Sequence, residues 1–408
     1  MYRIAVLVMP AVFMACARFP VAPAEGGPAW TELTSAHFTV WTDADPPRVC
    51  ELIRTMELFR HVTAEVAYPS TPSSARALAI VVRDDQELIE VSGDSRAFSM
   101  QAMQPLWQPV VFLSLAGSEQ RTLVHELTHL ISFSVIHHQP RWLAEGMAAY
   151  FEGAQLDAGR TTVTLGAAPL RYRSNAVMVP VERLFDWSRT MPAGIERPLY
   201  QTAWALFAFL INEHKAELAH YLWLIDRAGD PANGAWRVQQ QRAWERGFPS
   251  LPPDELDARL QDWLDHGSHH ELSFYVRPTD LPITARRLSD ADAYAVRSYL
   301  LDGQTPEQRE RGRAERSQAL ALEPTNVLAW SLRVMDGEKP TVRIGQAIAV
   351  AHPDDWRAWW LATLALENGG DPDELDRARQ QACALLARNG ALVAPPQLCP
   401  GDLHASAP

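Results

Sequence analysis

The strongest chemical signal in this sequence is the run His-Glu-Leu-Thr-His at positions 125–129. Residues four apart lie on one face of an α-helix, so the imidazoles of His125 and His129 can bind one metal ion. Glu126, beside the first histidine, can take a proton from a water molecule at that ion. Apolar residues around the run predict a helix over residues 118–136. The pattern therefore predicts a metal-binding helix with its own general base.

A third ligand is needed, because a catalytic zinc site uses three protein ligands and keeps one position open. Glu145 follows His129 by 16 residues, in the run Arg-Trp-Leu-Ala-Glu-Gly at 141–146. A short loop would fold this second helix, predicted over 139–153, back against the first. Between apolar neighbours an unpaired Glu145 carboxylate is costly, and a cation would relieve the cost. Two plainer interpretations stay open: core histidines without a metal, and an ion pair between Glu145 and Arg141.

The two runs together resemble the zinc sites of gluzincin metallopeptidases. These include thermolysin-like and aminopeptidase-N-like enzymes and the peptidase-MA-like families of bacterial envelopes. The resemblance covers roughly residues 30–215 and is specific at the two motifs. It implies that one zinc ion is the cofactor, that His125, His129 and Glu145 bind it, and that Glu126 activates the attacking water.

The same resemblance gives roles to two further residues. Glu152 lies seven residues, two helical turns, after Glu145, and it would be an outer partner of a ligating histidine. Tyr200, within Pro-Leu-Tyr-Gln-Thr-Ala-Trp-Ala-Leu at 198–206, stands where aminopeptidase-N-like enzymes carry their transition-state tyrosine. Its hydroxyl would donate a hydrogen bond to the oxyanion that forms when the carbonyl is attacked.

The sequence departs from the aminopeptidases at two places. Ala144 precedes the third ligand where those enzymes usually have Asn, and their Gly-x-Met-Glu-Asn strand, which captures a free amino terminus, is missing. The strand in the equivalent place, Phe-Leu-Ser-Leu-Ala-Gly at 112–117, contains no carboxylate. An endopeptidase is therefore expected, with the 112–117 strand as an exposed edge that pairs with an extended substrate.

The predicted function is zinc-dependent hydrolysis of peptide bonds in a peptide or protein substrate. Two alternatives remain open on the sequence alone. The zinc site could be an inactive relic in a protein that serves as a helical scaffold in a cell-envelope assembly. The same ligands could also hydrolyse a different bond, such as an ester or an epoxide.

Composition and the first residues predict an exported protein. The 408 residues carry a formal net charge of −12 without a basic cluster, which argues against nucleic acid as a partner. Residues 1–29 read as a signal peptide and linker, because the apolar run at 4–15 is too short to span a bilayer. Processing at Cys16 would attach a lipid, the only membrane contact expected, whereas cleavage after Ala-Pro-Ala at 22–24 would release the chain. The predicted location is a bacterial cell envelope or periplasm.

The elements that must position the site predict an α+β fold, in which a small mixed sheet packs on the zinc-binding helices. Besides the two metal-binding helices, strands are predicted at 38–41, 77–82, 110–115 and 161–165, and helices at 45–66 and 200–212. The catalytic domain is assigned to residues 30–275, and prolines between 278 and 282 mark its end.

An all-α region of helical hairpins is predicted over residues 283–390. A proline and a tryptophan each recur 29 residues apart, at Pro324 and Pro353 and at Trp330 and Trp359. This pattern resembles shortened tetratricopeptide repeats, which usually have a period of 34. Such a region would recruit a protein partner or the substrate.

Four cysteines are too few for a disulfide scaffold, although export permits disulfides. Cys383 and Cys399 could close a short loop between the helical region and the C-terminal tail, assigned to residues 391–408. Cys50 lies in a helical pattern and reads as a buried free thiol.

Overall fold

The structure is a computed structural model that describes most of the chain between residues 22 and 399. The described ranges are 22–67, 76–92, 97–103, 106, 108–116, 120–136, 138–166, 178–187, 196–228, 235–267, 271–276, 281–301, 305–367, 369–388 and 398–399. The predicted signal segment through residue 21, Cys16 included, and most of the predicted tail lie outside the described residues. Among the described residues, no helix combines the length and apolar character needed to cross a bilayer.

The described residues form helices and strands in the following order. The strands are β1 (Thr31–Thr34), β2 (Phe38–Thr42), β3 (Ala77–Val82), β4 (Ala97–Met103), β5 (Gln108–Ser114), β6 (Gln155–Leu156), β7 (Thr162–Leu165), β8 (Leu272–Tyr275) and β9 (Thr284–Arg287). The helices are α1 (Pro46–Ala67), α2 (Asp85–Ser92), α3 (Gln120–Val135), α4 (Arg141–Phe151), α5 (Glu182–Phe185), α6 (Glu196–Glu213), α7 (Lys215–Asp226), α8 (Trp236–Gly247), α9 (Leu256–His266), α10 (Asp290–Leu301), α11 (Pro306–Leu322), α12 (Val327–Met335), α13 (Val342–Ala351), α14 (Trp356–Leu366) and α15 (Pro372–Arg388). The predicted strands are confirmed as β2, β3, β5 and β7, and the predicted helices as α1, α3, α4 and α6.

Six strands form one mixed sheet with the order β4-β5-β3-β2-β1-β9. β2, β3 and β5 pair in parallel, whereas β4, β1 and β9 pair antiparallel with their neighbours. β6, β7 and β8 form a separate three-stranded antiparallel sheet. A mixed sheet accompanied by many helices agrees with the predicted α+β class.

The strand expected to be an exposed edge is an internal strand. β5, which contains the first residues of the 112–117 run, pairs with β3 on one side and with β4 on the other. β4 stands at the end of the strand order, and β5 is its one strand partner among the described residues. The expectation of an exposed edge is therefore wrong for residues 112 and 113, and among the described residues β4 is the edge strand on this side of the sheet.

Helices cover both faces of this sheet. β3 and β5 are buried on both sides, which explains why they read as continuous apolar runs instead of alternating ones. On one face, alternate side chains of these strands share a core with α1, α3, α4 and α6: Ala79, Val81, Val111 and Leu113. On the other face, the intervening side chains pack with α2 and α10: Leu78, Ile80, Val110 and Phe112. The first of these cores holds the helices that carry the predicted site.

The C-terminal helices contain the repeat that the sequence predicted. Trp330 Nε1 donates a hydrogen bond to the Pro324 carbonyl at 2.8 Å, and Trp359 Nε1 donates to the Pro353 carbonyl at 2.9 Å. The helix after each proline also begins at a capping side chain, Asn326 for α12 and Asp355 for α14. The two segments 29 residues apart therefore share the same hydrogen bond and the same kind of helix start. Their likeness to tetratricopeptide repeats stays a prediction.

The region predicted as all-α also contributes a strand. β9 pairs antiparallel with β1, with Thr284 opposite Thr34 and Arg287 opposite Thr31. Directly after this strand, Leu288 and α10 bury apolar side chains against the second face of the sheet. The expectation that residues 283–390 are all helical is therefore wrong for residues 284–287. These residues form a strand because β1 pairs with them as its second neighbour in the sheet.

A disulfide joins Cys383 on α15 to Cys399, as the sequence suggested. Leu398, next to it, is buried in the core of the C-terminal helices. Cys50 on α1 is a free thiol, as predicted, but it is only partly buried.

One buried carboxylate should make the stability of the fold depend on pH. Asp43 follows β2 with a fully buried side chain, 3.3 Å from Arg83 Nε. Burial and the nearby negative charge of Glu87 raise the pKa of Asp43 to about 7 against the opposing charge of Arg83. Because the folded state then binds more protons than the unfolded state between about pH 4 and 7, the free energy of unfolding falls as the pH rises through this window.

Asp43→Asn should remove this pH dependence, since asparagine cannot ionise. One pKa unit corresponds to about 1.4 kcal/mol, so we expect the variant to gain about 2–4 kcal/mol of unfolding free energy over the wild type at pH 8. Urea unfolding at pH 4.5 and pH 8 measures the difference, with the exposed Asp254→Asn as control. Parallel pH profiles for Asp43→Asn and the wild type would contradict the prediction.

Candidate metal centre

The three candidate ligands come from two consecutive helices. α3 carries His125 and His129 one turn apart, and α4 carries Glu145 near its start. α4 begins directly after Pro140, which occupies the N-cap position with φ −63° and ψ 147°. Proline favours such extended angles and cannot donate a backbone hydrogen bond, so the chain enters the second helix at this residue. This start brings Glu145 beside the two histidines.

The ligating atoms of these side chains converge. His125 Nε2 lies 3.2 Å from His129 Nε2, and Glu145 Oε2 lies 3.4 Å from each of these nitrogens. In a tetrahedral zinc site with bonds of about 2.0–2.1 Å, neighbouring donor atoms are about 3.3 Å apart. The three atoms thus form a triangle of the same size as one face of that tetrahedron. This group could hold a metal ion.

The surroundings of the carboxylate also fit a cation. Oε2 of Glu145 is buried, and because its contacts with the two imidazole nitrogens are 3.4 Å long, no described residue gives it a short hydrogen bond. A buried carboxylate oxygen with such weak contacts is costly, and a cation at the centre of the triangle would remove that cost. Two imidazole nitrogens and one carboxylate oxygen are ligands that zinc accepts.

The charges around the triangle compensate one another in the metal-free protein. Burial opposes ionisation of Glu145, but His129 and His125 outweigh it and hold the pKa of this carboxyl well below its usual range. Burial also opposes a charge on His125, yet hydrogen bonds to Glu145 and Glu152 and the charge of Glu126 raise its pKa to about 10. In the metal-free protein a proton on His125 therefore supplies the positive charge beside Glu145. A metal ion would replace this proton, so metal binding should release protons.

Glu152 lies behind the first histidine. Its Oε2 is 3.1 Å from His125 Nδ1, and the side chain is buried at the C-cap of α4. A hydrogen bond at Nδ1 fixes the imidazole so that Nε2 faces the triangle. His129 is held differently, because its ring stacks on Phe133 with centroids 5.7 Å apart.

Tyr200 lies on α6, close to the same carboxylate. The charge of Glu145 is near enough to raise the pKa of the phenol, and the nearby guanidinium of Arg141 opposes this rise. The Tyr200 ring packs edge-to-face on Trp187 at 5.0 Å between centroids, and the Arg141 guanidinium carbon lies 4.8 Å from the centroid of the same indole. Burial and Glu145 raise the pKa of Tyr200 to about 12, so the hydroxyl keeps its proton at neutral pH.

Glu126 is partly buried on α3 beside His125, and its charge contributes to the pKa of that histidine. The sequence motifs thus found the residues that the structure brings together at this centre. They also offered Arg141 as an ion-pair partner of Glu145, and Arg141 Nε lies 3.8 Å from Glu145 Oε1. They did not place Arg141 beside Tyr200, and they did not identify Trp187 as a neighbour of either side chain. Trp187 belongs to no motif, and only the packing of α4 and α6 against the segment after α5 reveals its place.

A glycine permits the close approach of the two helices that carry Glu145 and Tyr200. A Cβ added at Gly146 would lie 2.4 Å from the Ala203 carbonyl oxygen of α6, far inside van der Waals contact. α4 and α6 can therefore pack at this distance only if residue 146 has no side chain. Close helix packing therefore requires glycine at position 146, next to the candidate ligand Glu145.

Gly146→Ala should separate α4 from α6 and lower the free energy of unfolding by about 1–3 kcal/mol or more, as overpacking in a tight core does. Gly312→Ala is a matched comparison, because the nearest atom to its added Cβ is 3.2 Å away. We expect the larger loss for Gly146→Ala in urea unfolding. A smaller loss than for Gly312→Ala would show that the helices accommodate the methyl group.

Comparison with known proteins adds one similarity. The family model described as "Protein of unknown function (DUF1570)" matches residues 119–228. No match is found among the curated proteins. The matched segment includes α3, α4 and α6, and every residue assigned to the candidate metal centre lies within it.

Proposed function

We propose that this protein is a zinc-dependent peptidase that cleaves internal peptide bonds of a peptide or protein substrate. The observation that carries the proposal is the triangle of His125 Nε2, His129 Nε2 and Glu145 Oε2, which has the size of a tetrahedral zinc face. These three side chains would hold the ion. When bound, zinc would supply a Lewis acid that polarises the scissile carbonyl and lowers the pKa of water.

Glu126 would be the general base. It follows His125 directly on α3, and its charge acts on that imidazole, so its carboxylate lies near the triangle. It would take a proton from a water molecule at the triangle as the carbonyl is attacked and later pass the proton to the leaving amine. Glu152 would accept a hydrogen bond from Nδ1 of His125, which leaves the lone pair of Nε2 free to face the metal ion.

Tyr200 would stabilise the negative charge that develops on the carbonyl oxygen. Because its pKa is raised to about 12, the hydroxyl is protonated at neutral pH and can donate a hydrogen bond. An extended substrate could pair with β4, since this strand is at the edge of the sheet among the described residues. Pairing along a backbone suits an endopeptidase, because it requires no chain terminus.

We also propose that the protein works outside the cytoplasm, in a cell envelope or periplasm. The disulfide between Cys383 and Cys399 supports this location, because disulfides persist in oxidising compartments. The repeated helical hairpins would then offer a surface for a protein partner or the substrate.

Metal analysis and a chelator test this function together. We expect the purified protein to contain one zinc ion per chain and to cleave an unfolded, fluorescently quenched reporter protein. Prolonged treatment with 1,10-phenanthroline should abolish cleavage, and added Zn²⁺ should restore it. Zinc-loaded protein that leaves unfolded proteins intact would instead favour the scaffold alternative, and cleavage of ester or epoxide probes alone would favour hydrolysis of a different bond.

A further inference from the structure

The two oxygens of the Glu145 carboxylate have different neighbours. Oε2 lies 3.4 Å from both imidazole nitrogens, whereas Oε1 lies 3.8 Å from Arg141 Nε, one helical turn earlier on α4. Both side chains are mostly buried, with 14% of Glu145 and 26% of Arg141 exposed. The arginine therefore faces the oxygen that the triangle does not use.

Arg141 is itself held from two other sides. Its guanidinium carbon lies 4.8 Å from the centroid of the Trp187 ring, and Trp187 is 6% exposed. The guanidinium is also close enough to the phenol of Tyr200 to oppose the rise of its pKa, and this phenol packs edge-to-face on the same indole. A planar guanidinium can stack on an aromatic ring and donate in its own plane at once, which an ammonium group cannot do.

We infer that Arg141 is a positioning residue that holds Oε1 of Glu145 away from the histidines, so that the carboxylate presents Oε2 alone to a bound metal ion. This inference rests on the proposed metal site. One-point binding matters because a carboxylate that swings to offer both oxygens would occupy the open position needed for water. Arg141 would thereby link the ligand Glu145 to Tyr200 through one rigid group.

The sign of the effect separates positioning from simple electrostatics. A positive charge beside a cation site repels the cation, so if Arg141 acted only through its charge, its removal would tighten zinc binding. If Arg141 orients the ligand, its removal should weaken zinc binding about 10–100-fold, as loss of an outer partner of a metal ligand does.

Zinc affinity is measured by competition with a chromophoric chelator for the wild type, Arg141→Met and Arg141→Lys. We expect the largest loss for Arg141→Met and a partial rescue for Arg141→Lys, which restores the charge without the planar fork. Arg227→Met is the matched control, because Arg227 also stacks on a tryptophan, Trp223, at 4.5 Å. This control should bind zinc like the wild type.

Cobalt(II) substitution adds a readout that a purely structural role would not change. The visible bands of four-coordinate cobalt are more intense than those of five-coordinate cobalt, so we expect Arg141→Met to lose intensity as Glu145 binds through both oxygens. The inference would be overturned if Arg141→Met bound zinc as tightly as the wild type or more tightly and its cobalt spectrum were unchanged. If Arg141→Met does not fold, the same result for Arg141→Lys would overturn it. A wild type that binds neither metal would instead overturn the proposed metal site and, with it, this role.

Discussion

Replacing Glu126 by glutamine is expected to abolish hydrolysis while zinc stays bound. Glutamine has nearly the same shape as glutamate but cannot accept a proton, so the variant loses the general base and keeps the fold. Proton transfer by a positioned side chain contributes about 10²–10⁴-fold to rate, and we expect kcat to fall by this factor. Cleavage of the quenched reporter protein measures the rate, and metal analysis of the same sample measures zinc.

The control for this variant is Glu65→Gln, an equivalent substitution at an exposed position on α1. It should cleave at the wild-type rate. If Glu126→Gln retained wild-type activity with one zinc ion per chain, another group would have to serve as the base. The proposed mechanism would then be wrong even though the metal site was present.

His129→Ala is expected to leave the protein without stoichiometric zinc. The substitution removes one corner of the triangle and leaves two ligating atoms, His125 Nε2 and Glu145 Oε2, 3.4 Å apart. Loss of a direct ligand should weaken zinc binding by more than the roughly 10–100-fold that loss of an outer partner costs. Hydrolysis should disappear with the metal, and an excess of Zn²⁺ should restore little of it.

His220→Ala, at an exposed position on α7, is the control for this second variant and should keep one zinc ion per chain. Circular dichroism shows whether both variants are folded. A folded His129→Ala protein that still contained one tightly bound zinc ion would mean that the triangle is not the metal site.

Local sequence patterns predicted the parts of the fold that are set by local forces. The sequence predicts β3 and β5 because strands that are buried on both faces have continuous apolar residues. The convergence of His125 and His129 followed from helical periodicity alone, since residues four apart share a face. Glu145 followed from the need for a third ligand and from a short loop between two helices. The role of Glu152 required the resemblance to a known zinc-site pattern, because its approach to His125 depends on how the two helices pack.

Features that depend on distant segments could not be derived in this way. β4 covers residues 112 and 113 of the strand that was expected to be an exposed edge, and its place follows from a pairing with β5 that no short motif encodes. β9 joins β1 across some 250 residues of chain. Arg141 meets Trp187 and Tyr200 only because three separate segments converge on one side of α4. Sequence spacing carries no information about such meetings.

The pairing of β9 with β1 has a practical consequence for dissecting the molecule. A polypeptide that stopped at residue 283 would keep every proposed zinc ligand, yet it would leave the backbone of β1 without its outer neighbour. It would also expose the apolar side chains that α10 shields on the second face of the sheet. Bare strand edges and uncovered apolar faces promote self-association. We therefore expect a fragment of residues 1–283 to aggregate when produced alone, because it lacks the strand and the helix of residues 284–301 that cover this part of the sheet.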